Sequence, residues 1–439
     1  MRRKLFQWTL VVGVLMAALC ELAFSASSSS RVGVAAVSAE EFLSSLGVDI
    51  HVDQGVSGAS YIAPLRYLGV RNVRDEGRNS SQIQLIHRQT GIRLDLVGEG
   101  GLEDTIATGK ALAASGALMA LEGPNEPNNF PITYRGQRGG GMGSWAPVAQ
   151  FQEDLYRAVK SDPNLQDFPV FAVSEAGAEI DNVGLQFLTI PKGSGTTFAD
   201  GTRFADYANP HNYVASTQKI YVNNQAWKAA DPTLNGPWDG LYGEYGVTWR
   251  HNFRGYTNDL LLTLPRVTTE TGWDSVANPG GERTQGTVLV NTYLAQFKRR
   301  WRYTFIYQLR DGEGGNDNLG LFNSNSTPKL AATYIHNLSA ILADTTPVAS
   351  PDFLNYSINN QPATVHDLLI QKSSGVFDLV VWDENVSGTD QVKVNLGRVY
   401  SNVNVYDVTS GVSPIQTFAN ADSVSLNLND HALIIEILN

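Results

Sequence analysis

Short apolar runs alternate with longer helical stretches from about residue 45 onward. The predicted strands are Val48–Val52, Asn72–Arg74, Arg93–Val97, Leu118–Glu122, Val170–Val173, Tyr207–Pro210, Arg266–Glu270 and Thr304–Gln308. Predicted helices lie between most of them, such as Thr105–Ser115, Ala146–Ser161 and Gln285–Arg300. Such alternation is typical of βαβ units and a parallel sheet. Eight strand–helix pairs over about 290 residues match the number and length of a (β/α)8 barrel. The pattern therefore predicts an α/β fold with a TIM barrel over residues 45–345.

The pattern changes after the last predicted barrel helix, Pro328–Ala343, where Thr346-Pro347 and Ser350-Pro351 interrupt the chain. Short β-rich runs bounded by Gly, Asn, Asp and Ser follow, at Asp378–Trp382, Gln391–Val394, Val403–Tyr406 and Ala432–Glu436. Short strands at this spacing are typical of all-β domains. We predict a small all-β, sandwich-like domain over residues 346–439.

One connection in the barrel region is unusually long. Lys219–Arg250 is rich in Gly, Trp and Asn and follows the sixth predicted strand. Strand-to-helix connections lie on the catalytic face of such barrels. We therefore expect this segment to be a loop on that face.

The N-terminus has the three-part pattern of an export signal. Three basic residues at positions 2–4 precede the apolar run Leu5–Leu19, and Ala23-Phe24-Ser25 offers small residues for cleavage. The run is short for a membrane span, although an uncleaved anchor is the alternative. We predict a signal peptide over residues 1–25 and a leader or linker over 26–44. The protein is then secreted, extracellular or periplasmic, without stable membrane insertion after cleavage.

Charge and cysteine content narrow the classes of partner. The chain has 43 acidic and 32 basic residues and a formal net charge of −11, which disfavours nucleic acid as a partner. The only cysteine, Cys20, lies in the predicted signal peptide, so the mature chain has neither a disulfide nor a thiolate ligand. No His/Glu cluster has zinc-type spacing. We expect no metal, no cofactor and a monomer.

The strongest local motif is Leu121-Glu122-Gly123-Pro124-Asn125-Glu126-Pro127-Asn128. It follows the fourth predicted strand and therefore lies on the rim where barrel enzymes hold their catalytic groups. Proline on both sides makes the segment rigid. Glu126 is thus well placed for chemistry, although a polar turn would have the same sequence.

A second glutamate ends the seventh predicted strand, in Arg266-Val267-Thr268-Thr269-Glu270-Thr271-Gly272-Trp273. Glu126 and Glu270 are 144 residues apart, the length of three repeat units. This spacing places them on strands four and seven, facing one another across the barrel mouth. Retaining glycoside hydrolysis needs such a pair, about 5–5.5 Å apart, one as acid and one as nucleophile.

These residues resemble clan A of the glycoside hydrolases. The resemblance rests on Asn125-Glu126-Pro127, Thr269-Glu270, Arg74, Pro210-His211-Asn212-Tyr213, Asn318-Leu319-Gly320-Leu321-Phe322 and Thr327-Pro328-Lys329. It covers roughly residues 45–343. These motifs are typical of the clan and do not resolve a family within it. The barrel with a C-terminal β module is similar to the families of β-xylosidases, β-glucuronidases and some polysaccharide endoglycosidases.

The resemblance implies a role for each matching residue. Glu126 would be the acid/base, with a raised pKa, and Glu270 the ionised nucleophile. Arg74 would favour the carboxylate of the nucleophile. Asn125 would bind the sugar 2-hydroxyl, and either Tyr213 or His211 would orient Glu270. The substrate would be a carbohydrate.

The end of the eighth strand departs from the clan pattern. Many members place a tryptophan there as a platform under the reacting sugar, whereas this chain has Ile306-Tyr307-Gln308-Leu309-Arg310-Asp311. Tyr307 is the candidate for that platform, and the residues after it make the subsite polar. Trp273 is a further candidate for stacking on sugar, as are Trp145, Trp227 and Trp238.

Two other functions fit the same residues. A degenerate barrel would bind carbohydrate without cleaving it, and a transglycosidase would use the same two glutamates with a sugar as acceptor. The presence of both glutamates favours catalysis over binding alone. Nothing in the sequence separates hydrolysis from transfer.

Overall fold

The computed structural model describes residues 33–98, 101–127, 129–141, 143–174, 202–214, 221–231, 265–312 and 317–438. The N-terminal strands and the strands of the barrel region are β1 (Val34–Ala35), β2 (Val37–Ser38), β3 (Leu46–Asp49), β4 (Asn72–Asp75), β5 (Arg93–Val97), β6 (Leu118–Glu122), β7 (Ile132–Tyr134), β8 (Gln137–Gly139), β9 (Val170–Phe171), β10 (Arg266–Thr271) and β11 (Trp301–Ile306). The helices are α1 (Ala39–Ser44), α2 (Gly58–Leu68), α3 (Ser80–Thr90), α4 (Leu102–Ala114), α5 (Ala146–Ser161), α6 (Gln225–Ala229), α7 (Gly281–Lys298) and α8 (Leu330–Ile341). The C-terminal strands are β12 (Phe353–Leu354), β13 (Ser357–Asn359), β14 (Val365–Gln371), β15 (Phe377–Asp383), β16 (Asp390–Asp407), β17 (Gln416–Leu428) and β18 (Ala432–Leu438).

Seven parallel strands form the barrel sheet, in the order β10-β11-β3-β4-β5-β6-β9. Two residues join its edges: Tyr207 bridges Phe171 of β9, and Ala208 bridges Arg266 of β10. The backbone N–H of Val267 donates to the carbonyl of Ala208 at 2.9 Å. The predicted α/β barrel is therefore confirmed, with the sixth strand reduced to these bridges.

Inward-facing and outward-facing residues of the barrel have separate cores. Met119, Ala120, Phe171, Val267 and Phe305 form a cluster of their own inside the barrel. The larger core lies between the strands and the surrounding helices. Helix α7 is buried along thirteen consecutive residues because both α8 and the β domain pack on it.

The long connection after the sixth strand differs from its prediction as a loop on the catalytic face. Of Lys219–Arg250, residues 221–231 are described, and they contain α6, which packs on α7. The carbonyl of Ala230 accepts from Trp301 at the N-terminal end of β11, and Asp231 pairs with Arg299 at 3.2 Å. This part of the chain therefore runs down the outside of the barrel, away from the catalytic face.

The C-terminal domain is a sheet in the order β13-β16-β18-β15-β14-β2, with β17 paired to β16. Alternate residues of its central strands enter different cores. Val380 and Ile434 pack toward the barrel, whereas Leu379 and Ile435 pack within the domain. Burial of both faces explains the continuous apolar runs of β15 and β18.

The N-terminal end of the described chain belongs to this domain. β1 pairs antiparallel with β12, and β2 pairs parallel with β14. Residues 34–44, which lie in the expected leader or linker, thus form two strands and α1. The predicted signal peptide lies outside the described residues. Within the described part, no helix combines the length and apolarity that a membrane span requires.

Candidate active site

Glu126 lies in the loop after β6, in a backbone conformation that few non-glycine residues adopt. Its φ is +38°, and its carbonyl accepts from the N–H groups of Asn129 and Phe130, both at 2.8 Å. Upstream, a Cβ at Gly123 would lie 1.9 Å from the side-chain oxygen of Gln152. Glycine is therefore required where the chain leaves the strand, and the strained loop directs Glu126 into the barrel mouth.

Glu270 lies near the end of β10 and is fixed through both carboxylate oxygens. Arg74 donates to Oε1 at 2.7 Å, and the Tyr213 hydroxyl donates to Oε2 at 2.7 Å. Glu270 is 7% exposed, so these bonds replace most of its contact with water. Burial and the nearby Glu270 raise the pKa of Tyr213 well above its usual value, which keeps its hydroxyl a donor.

His211 is fully buried between the two glutamates. Its Nδ1 lies 2.7 Å from Oε1 of Glu126 and 3.6 Å from Oε2 of Glu270. Its Nε2 lies 3.0 Å from the hydroxyl of Thr269. The imidazole therefore contacts Glu126 directly, while Tyr213 is the group bonded to Glu270.

Arg74 lies close to four other polar side chains at the catalytic rim of the barrel. Besides Glu270 it donates to both oxygens of Glu122, at 2.8 and 2.9 Å, and to Oδ1 of Asn125 at 2.9 Å. Oδ2 of Asp49 lies 3.8 Å away. Because a guanidinium only donates, the amide of Asn125 must turn its oxygen to Arg74, which leaves its NH2 group to donate elsewhere.

Two further carboxyl groups are buried beneath this network. No described residue donates a hydrogen bond to either oxygen of Asp49 or Asp95. Burial raises the pKa of both groups well above its usual range, and nearby carboxylates add to the effect. Burial acts on Glu122 in the same direction, but Arg74 outweighs it and holds the pKa of Glu122 below its usual value. Burial thus favours the neutral form of Asp49 and Asp95, whereas Arg74 favours the ionised form of Glu122.

The pKa of Glu126 differs in direction from the expectation for an acid/base. Burial disfavours the ionised form, but the hydrogen bond and charge of His211, together with a bond from Asn129, outweigh burial and lower the pKa of Glu126. Sequence spacing does not reveal that a buried histidine touches this carboxylate. The proton of the acid must therefore be considered for Glu126 and His211 together.

The expected platform residue, Tyr307, lies at the rim, half-buried, with its ring 5.4 Å from that of His51 in a T-shaped contact. The polar residues after it have partners of their own. Gln308 is buried and donates to Asp317, while Asp311 pairs with the buried Lys329 at 2.7 Å. These polar side chains therefore stabilise the loop after the eighth strand, and their bonds are made within that loop more than toward the subsite.

The tryptophan candidates are not available to a sugar. Trp273 is fully buried and packs against Tyr221, so neither ring face is open. Trp145 is 1% exposed, and Trp227 is enclosed by His366 and Arg299, each 4.1 Å from its ring. These side chains support the structure. Trp238 lies outside the described residues.

A metal has one candidate site among the described residues. Ligand atoms of Glu126, His211 and Glu270 all lie within 4.8 Å of one another. These ligand atoms are already hydrogen-bonded to one another, to Tyr213 or to Arg74, as catalysis without a metal ion would require. A metal ion would therefore have to displace these hydrogen bonds.

Sequence reasoning missed Glu122, Asp49, Asp95, Thr269 and Asn129. The first three had a readable signal, since each is an acidic residue in an otherwise apolar strand and faces the barrel interior. Thr269 belongs to a motif that carried the resemblance, but nothing in the sequence gave it a role, and Asn129 had no signal because loops commonly carry such residues. Their partners are identified only by the folded arrangement.

Comparison with known proteins places this geometry in context. No family model matches the chain, and no curated protein matches it. Solved structures do. A family 39 glycoside hydrolase from the gut symbiont Bacteroides cellulosilyticus WH2 is similar over 92% of this chain and 82% of its own, with TM-score 0.55 and 15% identity. A bifunctional glucanase-xylanase protein from a metagenome library gives TM-score 0.56 and 10% identity, over 93% and 97%. The GH51 arabinofuranosidase from Xanthomonas axonopodis pv. citri gives TM-score 0.54 and 12% identity, over 93% and 97%.

The chain has the fold of the clan A glycoside hydrolases. Identities of 10–15% show the fold and leave the activity to the site itself. In this clan A fold, Glu126, Glu270, Arg74, Asn125, His211 and Tyr213 come together at the C-terminal end of the barrel, where active sites of such barrels lie.

Proposed function

We propose that this protein is a retaining glycoside hydrolase that cleaves O-glycosidic bonds of a poly- or oligosaccharide. The observation that supports this most is that a carboxylate oxygen of Glu126 and one of Glu270 lie within 4.8 Å of each other. Retaining enzymes hold their two carboxyl groups about 5–5.5 Å apart, whereas inverting enzymes need about 6.5–9.5 Å to admit a water molecule. The separation favours double displacement.

In this proposal each residue has a defined task. Glu126 protonates the leaving oxygen while Glu270 attacks the anomeric carbon and forms a covalent glycosyl-enzyme. Glu126 then removes a proton from water as the water oxygen attacks the anomeric carbon, and the bond between the sugar and Glu270 breaks. Arg74 and Tyr213 orient Glu270 through one hydrogen bond to each carboxylate oxygen, and the NH2 group of Asn125 donates to the sugar 2-hydroxyl.

Two alternatives use the same site. A transglycosidase would resolve the glycosyl-enzyme with a sugar, and product analysis with an added acceptor separates this from hydrolysis. Binding without catalysis is less consistent with the bonds to Glu270, because a lectin needs no ionised, oriented nucleophile.

The proposal is tested with Glu126→Ala on a panel of activated aryl glycosides. Loss of the acid/base should lower kcat on these substrates by about 10²–10⁴-fold, because no general base then activates water to release the glycosyl-enzyme. Added azide should restore turnover and give a glycosyl azide of retained configuration, because a small anion enters the space left by the carboxylate. Glu103→Ala, an exposed change on α4, is the matched control and should behave as wild type.

The nucleophile is tested separately. Glu270→Gln should abolish turnover, and azide should not rescue it with retention, since no glycosyl-enzyme forms. Full activity of this variant would refute the assignment, and a product of inverted configuration from the wild-type enzyme would refute double displacement.

We further propose that the protein is secreted into the extracellular space or periplasm, without stable membrane insertion after cleavage of the signal peptide. The support is the signal-peptide pattern of residues 1–25. Mass spectrometry of the exported protein should find Ala26 as its first residue, and a retained N-terminus would instead support the anchor.

A further inference from the structure

The hydroxyl of Thr269 lies at the centre of a set of hydrogen-bond partners that determines where His211 carries its proton. Oγ1 of Thr269 is 3.0 Å from Nε2 of His211, 3.0 Å from Oδ1 of Asn209 and 3.1 Å from Oε1 of Glu122. A threonine hydroxyl has a single proton to donate. Which of the three neighbours receives that proton therefore decides the tautomer of His211.

Two of these neighbours can only accept. Asn209 donates its NH2 group to the carbonyl of Ala172 at 3.2 Å, and its Oδ1 accepts from the N–H of Thr269 at 3.2 Å, which fixes the amide orientation. Glu122 accepts from Arg74 through both oxygens and is therefore ionised. If the Thr269 hydroxyl pointed at His211, its oxygen would face both acceptors with no proton between them, whereas a hydroxyl that points at one of them leaves only a single such contact. The hydroxyl proton therefore points to Asn209 or Glu122, and Nε2 of His211 carries the proton that Thr269 accepts.

This tautomer has a consequence on the other side of the ring. With the proton on Nε2, a neutral His211 presents a lone pair at Nδ1 to Oε1 of Glu126, only 2.7 Å away. Two acceptors do not approach to this distance without a proton between them. The pair therefore holds one proton more than a neutral histidine beside a carboxylate would hold.

The charges around the pair support this extra proton. The titratable and charged groups that face His211 are Glu126 and Glu122 from β6 and its loop, Glu270 from β10, Arg74 from β4 and Tyr213 from its own segment. One guanidinium among three buried carboxylates leaves two negative charges uncompensated. A proton held by Glu126 and His211 neutralises one of them, which is favourable in a buried site.

We propose that Thr269 is a positioning residue that fixes His211 as its Nε2–H tautomer, so that the Glu126–His211 pair holds a proton ready for the leaving oxygen. In the first step the pair gives this proton to the departing sugar, and in the second it takes one back from water, so the pair returns to its starting state. The catalytic consequence rests on the proposed glycosidase function, whereas the tautomer does not.

The tautomer is tested directly by ¹⁵N NMR of the ligand-free protein labelled at histidine, with the His211 signals assigned by their loss in His211→Asn. We expect a protonated Nε2 and a shared or protonated Nδ1 in the ligand-free protein at neutral pH. A neutral His211 with its proton on Nδ1 alone would overturn the proposal. This measurement needs no substrate, so it remains decisive if the protein hydrolyses no glycoside.

The catalytic role is tested with Thr269→Val, which has the same shape and cannot accept from Nε2. His211 should then move its proton to Nδ1, and the pair should lose its extra proton. The alkaline limb of kcat/KM should shift down by at least about one pH unit, with about a tenfold loss above it and little change in KM. Thr269→Ser, which keeps the hydroxyl, should restore the wild-type profile.

The matched control is Thr268→Val on the same strand. Its hydroxyl is also buried, but it donates to the carbonyls of Pro210 and Glu270 and does not touch His211. This variant should lose stability without shifting the alkaline limb. A folded Thr269→Val with an unshifted limb would overturn the catalytic role. If that variant does not fold, the wild-type NMR result still decides whether His211 is held as the Nε2–H tautomer on which the role depends.

Discussion

At the residue scale, Arg74 bonds to more side chains of the site than either glutamate does. A single buried guanidinium donates to Glu122, Glu270 and Asn125 and lies near Asp49. Planar geometry with several donors allows arginine to hold these groups at once, which a lysine ammonium would not do. The orientation of the nucleophile, and of the amide proposed to bind the sugar, therefore depends on one side chain.

Arg74→Met should damage both stability and activity. Removing the guanidinium leaves Glu122 and Glu270 buried without their cation, and breaking such a pair costs about 3–5 kcal/mol. We expect this loss in urea unfolding and a fall in kcat/KM of at least about 10²-fold, because Glu270 then loses the hydrogen bond and the cation that orient its carboxylate. Arg66→Met removes an exposed arginine bonded to the carbonyl of Gln89 and should change neither value. Wild-type kcat/KM in Arg74→Met would show that the nucleophile does not need this cation.

At the element scale, a small ionic cluster joins α7 of the barrel to two strand ends of the β domain. Arg283 at the start of α7 pairs with Asp430 through two bonds of 2.5 and 2.7 Å. His431, in the turn before β18, lies 3.4 Å from both Asp430 and Asp407, the last residue of β16. Burial disfavours the charged imidazole, but the two aspartates outweigh burial and raise the pKa of His431 to about 9.

The cluster predicts a dependence of stability on pH. Because the pKa of His431 is higher in the folded protein than its ordinary value near 6.5, the folded state binds the proton more tightly. The stabilisation is full below about pH 6.5 and is lost as pH rises through about 9. It amounts to at most about 3.5 kcal/mol, since one pKa unit corresponds to about 1.4 kcal/mol.

His431→Gln should therefore flatten the decline of the unfolding free energy between pH 6.5 and 9, as measured by urea unfolding at several pH values. At pH 6 the variant should be less stable than wild type, and the difference should shrink by pH 9.5. An equal decline in the two proteins would mean that the aspartates do not hold the charged imidazole.

At the scale of the whole molecule, the barrel and the β domain share one hydrophobic core. Leu368, Val380 and Trp382 of the β domain belong to the same buried cluster as α7 and α8. Glu384 also crosses the boundary and accepts from the N–H of Trp227 at 3.1 Å. The two regions should therefore unfold together.

Trp382→Ala tests this coupling. Truncation of a fully buried tryptophan costs about 3–5 kcal/mol, and the cavity would lie between the regions. Calorimetry should show a single transition in wild type and in the variant, shifted as a whole to lower temperature. Val412→Ala, at a site that is 50% exposed, should leave it in place. Two separate transitions, with that of the barrel unmoved, would mean that the domains fold independently.

The sequence by itself determined the barrel and the position of its reactive glutamates. Parallel strands bring their C-terminal ends to one rim, so residues that end strands, such as Arg74 and Glu270, must converge there whatever the details of packing. The change from strand–helix alternation to short β-rich runs also separated the barrel from the C-terminal sheet. These features depend on periodicity and chain order, which a linear sequence displays.

Tertiary structure alone decided which side chains touch. Trp273 is fully buried, and Trp227 is enclosed by His366 of the β domain and by Arg299 after α7. Neither ring is therefore open to a sugar, although the sequence around each resembles a loop. His211 contacts Glu126 and Thr269, which lie 85 and 58 positions away in the sequence. We propose that these contacts determine how many protons Glu126 and His211 hold together. Side-chain hydrogen bonds act over about 3 Å, so they are set by how distant strands are packed and not by the residues next to each group.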